Sequence, residues 1–175
     1  MKIISFVYSE KGPELVLRGD SSLLNGHKPL FIPDWTKELA MTPCMVLRVS
    51  RLGKEVGLKY AERYYDAVAF GADFVALDLL REAQAAGRPW TQAFAFDYSL
   101  ALGEWMNVPS DKVQWTKNHY VLSPEEAVVE ASKWMTIRQG DLITIQEQCA
   151  PKKVQKEEII RVEIDGEEKL YCKIK

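Results

Sequence analysis

Gly71-Ala72-Asp73-Phe74-Val75-Ala76-Leu77-Asp78-Leu79 places a single carboxylate inside an apolar run and a second one just beyond it. From Ala67 to Phe74 every residue but Asp73 is apolar or glycine, which reads as a buried strand or extended segment. Asp73 then has two readings, a ligand to a cation or a structural acceptor for loop amides, since a buried carboxylate must find partners. Asp78 stands where a helix N-cap is wanted. It predicts a short helix over Leu79 to Ala86, ended by Gly87 and Pro89.

Upstream, Tyr60, Ala61, Tyr64, Tyr65 and Val68 recur at helical spacing and predict an amphipathic helix. Met45-Val46-Leu47-Arg48-Val49 reads as a strand, followed by a turn at Leu52-Gly53-Lys54. Residues 9 to 35 are rich in Gly, Pro, Ser and Asp and predict loops with short extended pieces. Met1 to Tyr8 reads as a first strand. Downstream, Ser123-Pro124-Glu125-Glu126 is a capping box with proline at the first helical position. Ala127, Val128, Ala131, Trp134 and Met135 continue it as one apolar stripe. Leu142-Ile143-Thr144-Ile145 reads as a strand. Ile160, Val162 and Ile164 alternate into an Asp165-Gly166 turn, and Leu170, Cys172 and Ile174 alternate back, a hairpin. Many strands with a few short helices give an α+β class in a single domain over 1–175.

With 175 residues the chain can bury a real core. The formal charge of −2 argues against nucleic-acid binding. Lys152, Lys153 and Lys156 are diluted by Glu157 and Glu158. No stretch approaches the roughly 20 apolar residues of a membrane span, and the N-terminus lacks the pattern of a signal peptide. The three cysteines, Cys44, Cys149 and Cys172, are odd in number and without CxxC spacing. They fit a reduced, cytoplasmic setting better than a disulfide scaffold.

Several blocks, in order along most of the chain, resemble the fumarylacetoacetate hydrolase family. Leu17-Arg18-Gly19-Asp20-Ser21-Ser22-Leu23-Leu24 is similar to the family's Lys-Pro-Asp-Ser-Ala-Leu-Leu loop. Gly71 to Leu79 is similar to its Gly-x-Asp-Phe-Thr-Ala-Arg-Asp-Leu-Gln block. Lys28 to Asp34, Arg51-Leu52-Gly53-Lys54 with Ala61 to Val68, Gly87-Arg88-Pro89-Trp90 through Asp97, and Met135 to Ile143 follow the same order. The stretch from 104 to 122 matches least and looks shortened. The resemblance implies a fold of mixed β-sheets, rolled as a β-sandwich, with a few short helices. It also implies metal-dependent chemistry on keto acids: hydrolysis of a C–C bond, decarboxylation, isomerisation or hydration.

That chemistry needs a hard divalent cation held by oxygen ligands, which polarises a keto oxygen and stabilises the enolate. The family supplies a Glu-x-Glu pair, on one face of a strand, and the first Asp of its Asp-Phe-Thr-Ala-Arg-Asp block. Counted back from Arg51-Leu52-Gly53-Lys54, the pair falls on Thr42 and Cys44, and only Asp73 keeps its ligand identity. The family's nearby Lys falls on Phe94, and the Arg and Gln of the Asp block become Leu77 and Leu80. Gln146-Glu147-Gln148 stands where a Gly-Thr-Pro run is expected, and no His falls near Val7 to Glu10.

The expectation is therefore a degenerate metal site and a chain that binds or assembles rather than turns over substrate. No cofactor is expected in that case. Phe94, Leu77 and Leu80 would fill part of the old pocket, each burial worth roughly 1.5–3 kcal/mol. Arg18 and Asp78 are candidate contacts to a small acidic ligand, though a surface role suits Arg18 equally and a helix cap suits Asp78 better. A homodimer or an active paralogue is the expected partner. The alternative is an active enzyme on Mg²⁺ or Mn²⁺, with Glu38, Glu104 or Glu147 replacing the lost ligands.

Overall fold

The structure, a computed structural model, describes residues 1–107 and 119–175. Its strands in chain order are β1 (Lys2–Val7), β2 (Glu14–Gly19), β3 (Leu23–Asn25), β4 (Leu39–Val49), β5 (Tyr65–Ala76) and β6 (Leu100–Leu102). They continue with β7 (Met106–Asn107), β8 (Leu142–Gln146), β9 (Lys152–Lys153), β10 (Ile159–Ile164) and β11 (Glu167–Lys173). Among the described residues three α-helices join them, α1 (Leu77–Ala85), α2 (Thr91–Phe94) and α3 (Pro124–Trp134). The expected shortening around 104 to 122 falls largely outside the described residues.

Most strands form one mixed sheet in the order β2-β1-β8-β4-β5-β6-β3, with β7 on β5 and β9 on β4. The pairs β1–β8 and β3–β6 are parallel and the rest antiparallel. The long strands β4 and β5 form its spine, paired from Leu39–Ala76 to Val49–Tyr65. Alternation along the strands sorts residues to two faces. Ile4, Phe6, Met45, Leu47, Val68, Ile143 and Ile145 form one core, covered by Ala127, Val128 and Ala131 of α3. The opposite face carries Ser5, Arg18, Thr42, Cys44, Asp73, Thr144 and Gln146, all at most 3% exposed.

The sheet curls toward that second face. Arg18 on β2 and Asp73 on β5 are four strand positions apart, roughly 19 Å in a flat sheet. No side chain spans that distance, yet the two are hydrogen-bonded. The curl makes a half-barrel with a polar centre on its concave side. On the outer face, Ile160, Leu170 and Cys172 of the hairpin β10–β11, with Ile174 just after it, pack against Ala72 and Phe74 of β5. The hairpin turn has Asp165 at φ 52 and Gly166 at φ 80, the left-handed pair of a two-residue hairpin.

Two expectations are corrected. The helical spacing from Tyr60 to Val68 does not give one helix. A 3₁₀ stretch covers Leu58–Tyr64 and the chain then enters β5. Tyr65, Ala67 and Val68 pair with Val49, Arg48 and Leu47, and that long-range pairing overrides the local pattern. Asp78 is not the N-cap of α1; that position is Ala76, and Asp78 lies in the first turn. The other elements agree in place, though Trp134 leaves the apolar stripe of α3 and is 67% exposed. Ser123 and Glu126 form the expected capping box on α3, with Pro124 at its start.

Candidate functional site

Asp73 sits at the middle of the concave face, on β5 opposite Thr42 of β4. Cys44 lies two residues along β4, beside Gly71 on one flank and Gln146 on the other. The period of two thus brings Thr42, Cys44 and Asp73 together. All three are at most 1% exposed.

What holds Asp73 is Arg18. Its Nη2 donates to both carboxylate oxygens, at 2.5 and 2.7 Å, and both side chains are fully buried. Arg18 Nη1 lies 3.4 Å from the carbonyl and the hydroxyl of Ser99, which begins the turn into β6. The guanidinium carbon stands 5.5 Å from the centroid of the Phe94 ring. Phe94 packs with Val7, Val16, Ala40 and Val75, and Leu77 and Leu80 lie against the same cluster. Phe94 thus stands beside the guanidinium that Asp73 binds, with Leu77 and Leu80 on the same apolar cluster. Arg18 is not a surface residue, and Asp73 is not an acceptor for loop amides.

The electrostatics follow from burial. Desolvation pushes the Asp73 carboxyl above its ordinary value, and the Arg18 cation pulls the other way. Gln146 also favours the carboxylate. Its Oε1 accepts from the Tyr8 amide at 2.8 Å, and its Nε2 faces Asp73 without the alignment of a hydrogen bond. Burial, and then the Asp73 charge, push the Cys44 thiol well above its usual range, with Arg18 too weak a counterweight. A protonated thiol is a poor metal ligand and a poor nucleophile.

Sequence reasoning missed Ser5, Ser99, Thr144 and Gln146. Alternation in Leu142-Ile143-Thr144-Ile145-Gln146 carried a signal for two of them, since residues two apart share a face. The Ser5, Thr42 and Thr144 hydroxyls, Arg18 Nε and Gln146 Nε2 are buried with no hydrogen-bond partner among the described residues.

Asp78 lies elsewhere. Its carboxylate accepts from the Thr36 hydroxyl at 2.6 Å and the amides of Lys37 and Leu79 at 2.8 and 3.0 Å. Against a burial cost, these donors hold its pKa below the usual value. It ties the start of α1 to the segment before β4. Glu38 binds Arg81 and Lys153, and Glu104 faces Lys169 at 3.5 Å. Both are held at the surface. Glu147 lies nearest the concave centre, close enough to raise the Cys44 thiol pKa. It also faces His119 at 3.8 Å. His27 faces Glu168 at 3.6 Å.

A hard divalent cation does not fit this set. It would have one carboxylate, already engaged by a guanidinium, and otherwise neutral hydroxyls, an amide and a protonated thiol. Mg²⁺ gives up water reluctantly and would not do so for these groups. Among the described residues no cluster of three or more His, Cys, Asp or Glu side chains is placed to hold a metal ion. No described helix is long and apolar enough to cross a membrane.

Comparison with solved structures finds the same fold repeatedly. Fumarylpyruvate hydrolase from Pseudomonas aeruginosa, in complex with Mn²⁺ and pyruvate, superimposes with a TM-score of 0.80 at 19% identity, over 99% of this chain and 88% of that one. A protein from Yersinia pestis CO92 attributed to the fumarylacetoacetate hydrolase family gives 0.86 at 15% identity, over 99% and 91%. The 5-carboxymethyl-2-hydroxymuconate delta-isomerase of Mycobacterium smegmatis gives 0.80 at 16%, over 99% and 78%. At these identities the likeness shows the fold alone. No curated protein sequence matches. The family model for the fumarylacetoacetate (FAA) hydrolase C-terminal domain matches residues 4–118, more than half of the chain. With that match over most of its length and the half-barrel fold, the chain belongs to the fumarylacetoacetate hydrolase family.

Proposed function

We propose that this chain is a catalytically degenerate member of its family, which acts in binding or assembly rather than in turnover of a keto acid. One observation carries the reading: both oxygens of Asp73, the one carboxylate left in the ligand set, are taken by the buried Arg18 guanidinium. The metal would have supplied the Lewis acid that polarises a keto oxygen. Arg18 keeps a positive charge near the same place but offers no open coordination position to a substrate. Phe94, where the family has a lysine, stacks against that cation. The Cys44 thiol is held protonated.

A buried, internally neutralised centre leaves the outer surface as the part that acts. Pairing with a second copy, or with an active paralogue of the same fold, in the cytoplasm where the free thiols persist, is the role that remains. A small acidic ligand would not find Arg18 free.

Turnover tests the reading directly. The chain, supplied with Mn²⁺, is assayed on fumarylpyruvate-type and related keto acids, beside the variant Glu147→Gln. No turnover by either is expected. A metal-dependent rate that Glu147→Gln abolishes would replace this reading with that of an active enzyme whose ligands have moved.

A further inference from the structure

The guanidinium of Arg18 has acceptors at both terminal nitrogens and a ring over its carbon, while its Nε is buried with no partner among the described residues. One nitrogen, Nη2, donates to both carboxylate oxygens at 2.5 and 2.7 Å. A carbonyl and a hydroxyl of Ser99 lie near a second nitrogen at 3.4 Å. The Phe94 ring offers its face at 5.5 Å. Each is a device for recognising guanidinium: in-plane acceptors, and an aromatic quadrupole over a weakly hydrated ion. A hard divalent cation would have to shed tightly held water to use the ring. The side chain arrives from the edge strand β2, four positions away in the sheet order, so the contact also ties that edge to the interior strand β5 across the curl.

We propose that the concave centre is a guanidinium-binding site, filled by the chain's own Arg18, which takes the place of a metal and latches β2 onto β5. The ligand class is a monovalent planar cation of the guanidinium type. The proposal rests on the reading that Asp73 is not a metal ligand, and adds to it what the residues around Asp73 are shaped to hold. Removing the side chain beyond Cβ leaves Asp73, Ser99 and Phe94 around a recess that an external guanidinium would fill.

The test is chemical rescue of Arg18→Ala. Melting curves are taken with methylguanidinium chloride at tens of millimolar, against equal NaCl. Arg18→Ala should melt roughly 6–20 °C below the parent, the cost of stripping one partner from a buried pair. Methylguanidinium should restore much of that loss with saturation, leave the parent unchanged, and do nothing for Arg18→Ala combined with Asp73→Asn. Equal recovery in NaCl, no recovery, or recovery without Asp73 would each overturn the proposal. If Arg18→Ala does not fold, Arg18→Lys decides. A point charge lacks the planar edge and the stacking, so this variant should melt below the parent; equal stability would sink the assignment. Mn²⁺ raising the melting point of Arg18→Ala as far as methylguanidinium does would also overturn it. Mn²⁺ bound by the parent and still bound by Asp73→Asn, and so held elsewhere, would overturn only the proposed function.

Discussion

Removing either partner of the Arg18–Asp73 pair should cost far more than removing both. Both side chains are fully buried, and the contacts are 2.5 and 2.7 Å. With charge centres about 4 Å apart and an effective dielectric near 20, their attraction is about 4 kcal/mol. In Asp73→Asn the guanidinium stays charged, because arginine does not deprotonate in proteins. It is left with Ser99 and Phe94, and a loss of about 3–5 kcal/mol is expected. In Arg18→Met the carboxylate loses its cation but can escape by taking up a proton. Its folded pKa, already raised by burial, rises further above the unfolded value. The folded form then binds more protons, so the penalty of Arg18→Met should shrink as pH falls toward the unfolded carboxylate range. Asp73→Asn should show no such relief. The double variant removes both charges and should lose at most about 2 kcal/mol. Urea denaturation of the four proteins gives the cycle, with an expected coupling of about 3–4 kcal/mol. A coupling below about 1 kcal/mol, or penalties with no pH asymmetry, would refute the argument.

Three further outcomes follow from other parts of the fold. Gly103→Ala should cost about 3 kcal/mol or more, because its Cβ would lie 2.2 Å from the Lys169 carbonyl and 2.8 Å from that of Phe70, backbone atoms that cannot swing away; thermal melting measures it. Ser123→Ala should cost about 1 kcal/mol by losing its bond from the Glu126 amide at 3.2 Å, read by urea denaturation. Asp141 bonds the Lys2 ammonium and the amides of Lys2 and Arg138, which, against a burial cost, hold its pKa below the unfolded value near 3.8. Its contribution is present above that pH and is lost as pH falls through the folded pKa. The parent's advantage over Asp141→Asn should therefore vanish in acid, and a constant advantage at all pH values would contradict it.

The local elements were legible where the residues speak for themselves. The capping box at Ser123 needs only four residues in a row, and the Asp165-Gly166 hairpin needs only alternation about a turn. The family's motif order then fixed the fold and put Thr42, Cys44 and Asp73 on one face. The 3₁₀ stretch before β5 was not legible, because Tyr65 and Val68 fit helical and strand patterns alike until β4 is there to pair with them. Arg18 was the larger surprise. Nothing in Leu17-Arg18-Gly19 says that a cation on the edge strand will be buried. That depends on the curl, which brings β2 across to β5, and curl is a property of the whole sheet. The hydroxyls of Ser5 and Thr144 were hidden for the same reason: each is ordinary in its own strand, and they become a group only when four strands align.

The most direct measurement is calorimetric titration of Mn²⁺ into the chain after exhaustive dialysis against EDTA. The account predicts no saturable binding at one ion per chain, and a melting temperature indifferent to EDTA. Stoichiometric Mn²⁺ binding that disappears in Asp73→Asn would show that Asp73 still serves a metal and that Arg18 gives way to it, and would contradict the account at its centre.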